Sequence, residues 1–188
     1  MRIVGGKYKG TALASVGKGD AAAHLRPTSD RVRESIFNLL INGGYGDPVT
    51  GAQVLDLFAG TGALGFEALS RGADFALFVD DGVKARALIR QNIDILQVIG
   101  DCKLYRRDAT RLGPTRDMVF DLVFLDPPYG KGLGQKALAS AAEGGWLADG
   151  ALAVWEEGAE QTPPDGFTLL DARKYGDTWV HILRYSSA

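Results

Sequence analysis

Residues 54–65 read VLDLFAGTGALG, an apolar run followed by Gly60, Gly62 and Gly65, at which a helical pattern opens. The spacing is G-x-G-x-x-G in the strand-to-helix setting that a nucleotide-type ligand requires. The glycines permit a tight turn and bring backbone N–H groups and a helix N-terminus close to the ligand. Asp80 ends the next apolar run, twenty residues after Gly60, where an acid accepts hydrogen bonds from ribose hydroxyls.

Outward from this loop the same rhythm repeats. Strand-like runs at 53–57, 75–80, 102–106, 119–125 and 151–156 alternate with helical stretches near 63–71, 82–98 and 131–145. Strands that are nearly all apolar, separated by helices, predict parallel strands covered on both faces, a doubly wound α/β sheet. The tail departs from the rhythm. Runs 167–174 and 178–185 are joined only by Tyr175-Gly176-Asp177, too short for a crossover helix, so they form an antiparallel pair at the sheet edge. Toward the N-terminus, residues 2–13 predict a hairpin about Gly5-Gly6, and 14–25 a Gly/Ala/Ser-rich loop. A helix from the candidate caps Thr28, Ser29 and Asp30 then runs to Gly43-Gly44. The expected organisation is an N-terminal extension over 1–44 and a catalytic domain over 45–188.

The 188-residue chain has room for one domain with a small appendage, and its 46% apolar content supports a sizeable core. Glycine, at 25 residues, runs to roughly twice its usual share and directs attention to backbone-lined sites. A lone cysteine, Cys102, excludes an intrachain disulfide and Cys-based zinc frameworks. His24 and His181 have no partners at metal-ligand spacing, so no metal is expected. No signal-peptide pattern or long apolar span is present, which predicts a cytoplasmic protein away from the membrane. Trp146, Trp155 and Trp179 read as packing residues, Cys102 as an inert small hydrophobe, and His181 as a core or edge residue.

Both NAD and S-adenosylmethionine suit the glycine loop. Asp56, at the end of the first strand, favours the second: a carboxylate there repels a pyrophosphate and stabilises a cationic methionyl end. Gly60, Thr61 and Gly62 would line the cofactor, with Asp80 at the ribose and the Asp108-Ala109 step, after the third strand, at the adenine amine. The fourth strand ends in Asp126-Pro127-Pro128-Tyr129, facing the crevice where ligands bind in open α/β sheets. Two prolines remove two N–H donors and leave carbonyls to accept, Asp126 adds a carboxylate, and Tyr129 offers a ring face. That set suits the exocyclic amine of a nucleobase, which needs acceptors for its N–H groups and a stacking platform. An NAD-dependent oxidoreductase would use the loop and leave Asp-Pro-Pro-Tyr without a task.

VLDLFAGTGALGFEALSRGA (54–73) with LDPPY (125–129) resembles class I S-adenosylmethionine-dependent methyltransferases acting on exocyclic amines. RIVGGKYKG (2–10) with RPTSDRVRESIFNLL (26–40) narrows the resemblance to the RsmD-type family, guanine-N2 methyltransferases of bacterial 16S ribosomal RNA. The resemblance covers essentially the whole chain. It implies a Rossmann-like, seven-stranded sheet with a reversed last hairpin and a monomer acting on a guanosine of an assembling or assembled small ribosomal subunit. It also implies a cofactor held by Gly60, Thr61, Gly62, the acid at 80 and Asp108, and a target base at Asp126 to Tyr129. The family's usual glutamate after the second strand is here Asp80 followed by Asp81, so either aspartate could hold the ribose. DNA adenine-N6 and cytosine-N4 methyltransferases share the Asp-Pro-Pro-Tyr chemistry, but the chain has no sizeable target-recognition segment.

The net charge of −2 conceals an asymmetry. Residues 1–40 carry seven basic and three acidic side chains, and residues 41–188 carry fourteen and twenty. Lys7, Lys9, Arg26, Arg31 and Arg33 are therefore the expected RNA-phosphate contacts, on a basic extension beside an acidic domain.

Overall fold

The computed structural model describes residues 1–16 and 28–187. Its elements are α1 (Asp30–Asn42), β1 (Gln53–Leu57), α2 (Ala63–Ser70), β2 (Phe75–Val79), α3 (Val83–Leu96), β3 (Cys102–Tyr105), β4 (Phe120–Leu125), α4 (Leu133–Glu143), β5 (Leu147–Glu157), β6 (Phe167–Tyr175) and β7 (Thr178–Tyr185). One sheet has the order β3-β2-β1-β4-β5-β7-β6. The first five strands are parallel, and β7 and β6 run antiparallel to their neighbours, as the short 175–177 connection requires. This is the Rossmann-like class I methyltransferase fold with its reversed terminal hairpin. The chain order reverses between β1 and β4, which opens the crevice at their carboxyl ends.

Alternation along the strands sorts side chains to two faces. Val54, Ala76, Phe78, Leu122 and Phe124 face a core shared with Ile36, Phe37 and Leu40 of α1, Leu64 and Phe66 of α2, and Ile89 and Ile93 of α3. Leu55, Leu57, Leu77, Val79, Val123 and Leu125 face the opposite core, closed by Ala137, Leu138 and Ala141 of α4 and by Trp146 and Trp155. Phe66 and Phe78 meet with ring centroids 4.5 Å apart, and Phe37 of α1 lies 5.5 Å from Phe124 of β4. Such ring pairs add roughly 0.5–1.5 kcal/mol to the burial of their apolar area.

Ile3 and Leu13 of the extension belong to the same core as α1 and the sheet, so the 44/45 division marks no break in packing. The extension also corrects the predicted hairpin. Its arms run antiparallel through Ile3 N–H to Thr11 O, Gly10 N–H to Ile3 O and Leu13 N–H to Met1 O, but only Arg2 and Ala12 form a β-bridge. The chain does not turn tightly at Gly5-Gly6, because the backbone there bonds α2 instead. Val4 and Gly5 N–H donate to Glu67, and Lys7 N–H to Ser70 O. At Gly6, with φ +79°, a Cβ would lie 2.0 Å from Ser70 O, so this contact admits only glycine.

Ser29 caps α1, its Oγ accepting Val32 N–H at 3.1 Å. Strand β5 begins four residues earlier than expected, at Leu147, with a register irregularity between the pairs Phe120–Leu147 and Leu122–Leu152 that spans Gly150. Trp146, Trp155, Cys102 and His181 are buried, as expected of packing residues. His181 accepts Gln161 N–H at Nε2 and sits 3.1 Å from Trp155 O through Nδ1, and burial raises the Cys102 thiol to about 11. Among the described residues no helix is long and apolar enough to cross a membrane, and no cluster of ligating side chains could hold a metal.

Candidate active site

The carboxyl ends of β1, β2 and β4 open into a cavity of about 670 Å³. Leu57 of β1 pairs with Leu125 of β4, so the backbone leaving each strand brings the glycine loop and the Asp-Pro-Pro turn to adjacent walls. Asp56, Gly60, Thr61, Asp80, Asp108, Asp126, Pro127 and Pro128 line the cavity together, although residues 56 and 128 are far apart in the chain.

On the first wall, Asp56 is 2% exposed and its Oδ2 accepts Gly65 N–H at 3.0 Å. Burial raises its pKa well above the ordinary 3.8; the Gly65 bond opposes this and the nearby Asp80 and Asp126 charges add to it. Gly65 is glycine for a steric reason, since a Cβ would stand 2.4 Å from Phe78 Cε1 and crowd Asp56. Asp80 clamps both ends of the neighbouring turns: Oδ2 accepts Gly60 N–H at 2.9 Å and Oδ1 accepts Gly82 N–H at 2.8 Å. Its pKa is also raised, first by burial, with the two backbone bonds opposing. Asp81 is exposed and lines the same rim. Asp108 accepts both Thr110 N–H and Thr110 Oγ1–H, and the hydroxyl bond lowers its pKa.

The second wall is built around Asp126. Thr28, just ahead of α1, lines the cavity and directs its Oγ1 to Asp126 Oδ2 at 3.5 Å. Glu157, at the end of β5, accepts Gly130 N–H at 3.0 Å and so ties down the loop after the two prolines. The Tyr129 ring packs against Gly158, where a Cβ would approach to 2.8 Å, and its hydroxyl lies 3.4 Å from Thr178 Oγ1.

Three expected site residues do not line the cavity. Gly62 caps α2 with φ +80°, Ala109 is buried in the α4-side core, and Tyr129 stands next to the wall on β5 and β7. One expected phosphate contact is corrected. Arg33 is fully buried, with Nε on Glu67 Oε1 at 3.1 Å, Nη1 on Thr28 O at 3.3 Å, and Nη2 on Arg2 O and Asp30 Oδ1. A guanidinium bonded in this way inside the protein is a strut and cannot reach an RNA phosphate. Lys7, Lys9 and Arg31 are exposed, and Arg26 falls outside the described residues.

Several contributors were missed from the sequence. Thr28 stood only as a cap candidate, yet the structure places it in the cavity. Glu67 carried a signal: it is the only charged residue in the fully buried, mostly apolar helix ALGFEALS. A charge there must be paired, and Glu67 is paired with Arg33, Arg71 and two backbone N–H groups. Asn92 of α3 bonds Ala14 N–H, Ala14 O and Thr61 O, tying the extension to the glycine loop. Val83, apolar and 76% exposed, adds a hydrophobic contact to the cavity lining.

The family described as Conserved hypothetical protein 95 matches residues 1–184. The chain is 38% identical to YlbH of Bacillus subtilis over 98% of each sequence. It is 36% identical to ribosomal RNA small subunit methyltransferase D of Escherichia coli strain K12, over 87% of this chain and 78% of that one. The solved structure of yhhF from Escherichia coli superposes with a TM-score of 0.82 at 30% identity, covering 100% of this chain and 99% of the other. With its cavity at the β1–β4 switch point and its sequence matched nearly end to end, the chain belongs to the Conserved hypothetical protein 95 family, the RsmD-type methyltransferases.

Proposed function

We propose that this protein transfers a methyl group from S-adenosylmethionine to the exocyclic N2 amine of a guanosine in the 16S RNA of the small ribosomal subunit. The observation that carries the reading is the meeting of Asp56 and Asp126 in one cavity, the first buried and suited to a cation, the second followed in the same lining by Pro127 and Pro128, whose backbones offer acceptors and no N–H donors. The Escherichia coli relative named for small-subunit ribosomal RNA supports the substrate class.

The residues present fit the cofactor. Asp56, held toward its neutral form by burial, ionises favourably opposite an ammonium group. Asp80 has further lone pairs for ribose hydroxyls, and Asp108 is available to the adenine amine. Val83 supplies apolar contact to the ring. When bound, S-adenosylmethionine supplies a methyl group on a sulfonium, which is electrophilic without any metal.

The chain's own task is then to make a poor nucleophile reactive. The lone pair of a guanine N2 is delocalised into the ring. Asp126 and the Pro127 carbonyl accept its N–H bonds, favour pyramidalisation and turn the lone pair toward the methyl group. As the nitrogen–carbon bond forms and the sulfur–carbon bond breaks, positive charge grows on nitrogen, and these acceptors stabilise it. The nitrogen finally releases a proton to Asp126 and on to water. Holding the two reactants in line supplies much of the remaining acceleration. Guanine suits a carboxylate here because N1–H and N2–H are adjacent donors, one for each oxygen. Lys7, Lys9, Arg31 and Arg26 are the proposed phosphate contacts.

The deciding experiment incubates the protein with labelled S-adenosylmethionine and undermethylated small ribosomal subunits, naked 16S RNA or DNA, then maps the modified nucleoside. N2-methylguanosine from the ribosomal substrate is expected. Label confined to DNA, or recovered as N6-methyladenine, overturns the assignment. S-adenosylhomocysteine should raise the melting temperature and NAD should not.

A further inference from the structure

We infer that Thr28 is a positioning residue for Asp126, and that the N-terminal extension completes the target-base subsite as well as docking RNA. The inference rests on the proposed role of Asp126 and adds a residue 98 positions earlier in the chain.

An aspartate at the end of a strand has a soft second torsion, so its two oxygens exchange places readily unless a neighbour selects one. The Thr28 hydroxyl, 3.5 Å from Asp126 Oδ2, is such a neighbour. It donates to one oxygen and sets the plane in which the carboxylate meets the amine. Thr28 is itself held from three directions. Arg33 Nη1 donates to its carbonyl at 3.3 Å, Ser29 beside it caps α1, and α1 packs through Phe37 onto Phe124, two residues before Asp126 on the strand that carries it. Arg33 is anchored in turn by the fully buried Glu67 of α2, the helix that the glycine loop opens. The chain of contacts Glu67–Arg33–Thr28, buried at Glu67 and Arg33, thus runs from the base of the cofactor loop to the carboxylate that meets the target amine. A docking appendage alone has no need of a hydroxyl in the catalytic cavity. Thr28 lines that cavity together with Asp126, Pro127 and Pro128.

The test compares wild type, Thr28→Val, Thr28→Ser and Asp126→Ala. Valine keeps the shape and removes the hydroxyl; serine keeps the hydroxyl. Two readouts are used: the 13C titration of the Asp126 carboxyl in ligand-free protein, and single-turnover methyl transfer to undermethylated small subunits at saturating cofactor. Thr28→Val should move the Asp126 titration to higher pH and slow transfer about tenfold, the size expected for one hydrogen bond to a charged group. S-adenosylhomocysteine affinity should stay within about twofold of wild type. Thr28→Ser should restore the titration and bring the rate to within about threefold of wild type. An Asp126 titration that is the same in wild type and Thr28→Val overturns the inference, as does an unchanged rate with Asp126→Ala inactive. If wild type itself transfers no methyl group to RNA, the functional reading fails, and the titration alone decides whether Thr28 holds Asp126.

Discussion

On the glycine-loop side of the cavity, Asp56 and Asp80 accept backbone N–H groups from Gly65, Gly60 and Gly82, partners at most 20 residues away. On the other side, Asp126 meets Thr28 across 98 residues, and Thr28 is held by an arginine whose counter-ion lies on a third element. The cofactor wall is therefore assembled by neighbouring segments of the chain: once β1, its turn, α2 and the paired β2 form, the acids have their donors. The target wall gains Thr28 only when the extension is seated. The half of the site that handles a generic cofactor is locally encoded, and the half that handles a particular base depends on tertiary contacts.

The sharpest way to separate the two walls is Asp126→Ala. Turnover should fall by about two to three orders of magnitude, the scale of losing one preorganised transition-state hydrogen-bonding group, while S-adenosylhomocysteine affinity by calorimetry stays within a few-fold. A parallel loss of affinity would mean that the walls are not separable.

Glu67→Ala attacks the seating of the extension. It leaves the buried Arg33 with only the part-exposed Asp30 as an ion partner and removes the acceptor of Val4 and Gly5 N–H. Breaking a buried pair from one side costs about 3–5 kcal/mol, to be read from urea denaturation. A cost below about 1 kcal/mol would show that the extension is only loosely attached.

Asp56 sharpens the cofactor wall through pH. Its folded pKa is raised above 3.8, so the folded protein holds this proton more tightly than the unfolded chain does. The associated stability is fully present below pH 3.8 and is lost as pH rises through the folded value. Asp56→Asn should flatten this part of the stability decline in ligand-free protein. Binding of S-adenosylhomocysteine, whose ammonium favours the carboxylate, should release protons from wild type and fewer from Asp56→Asn. Calorimetry in buffers of different ionisation enthalpy measures that difference.

The smallest effect concerns the outer face of the extension. Neutralising Lys7, Lys9 and Arg31 together, with Arg33 left in place, should lower the slope of log affinity against log salt by about 2 if all three meet phosphates. An unchanged slope would place the RNA contact elsewhere.

Much of this molecule was legible in one dimension. The G-x-G-x-x-G turn, the alternating apolar runs and the short 175–177 connection yield the parallel sheet with its reversed hairpin, because periodicity and turn length are local properties. Asp56, Asp80 and Asp126 could be assigned to the site because each directly ends or follows a predicted strand, and ligands collect at strand ends in such sheets. Arg33 was misread because composition registers a charge without its burial: the basic count of the extension held one cation that tertiary structure removes from the surface. The predicted Gly5-Gly6 hairpin gave way to pairing with α2 because Glu67 and Ser70 offered those N–H groups better-placed acceptors.

The amino-acid sequence by itself thus determined the sheet, the order of its elements and the three carboxylates at its strand ends, all of which follow from spacing along the chain. Only the tertiary structure decided that Thr28 shares the cavity with Asp126 and that Arg33 is a buried strut. Those facts depend on which distant side chains can satisfy a charge or a hydroxyl once water has been excluded, and no local pattern records that choice.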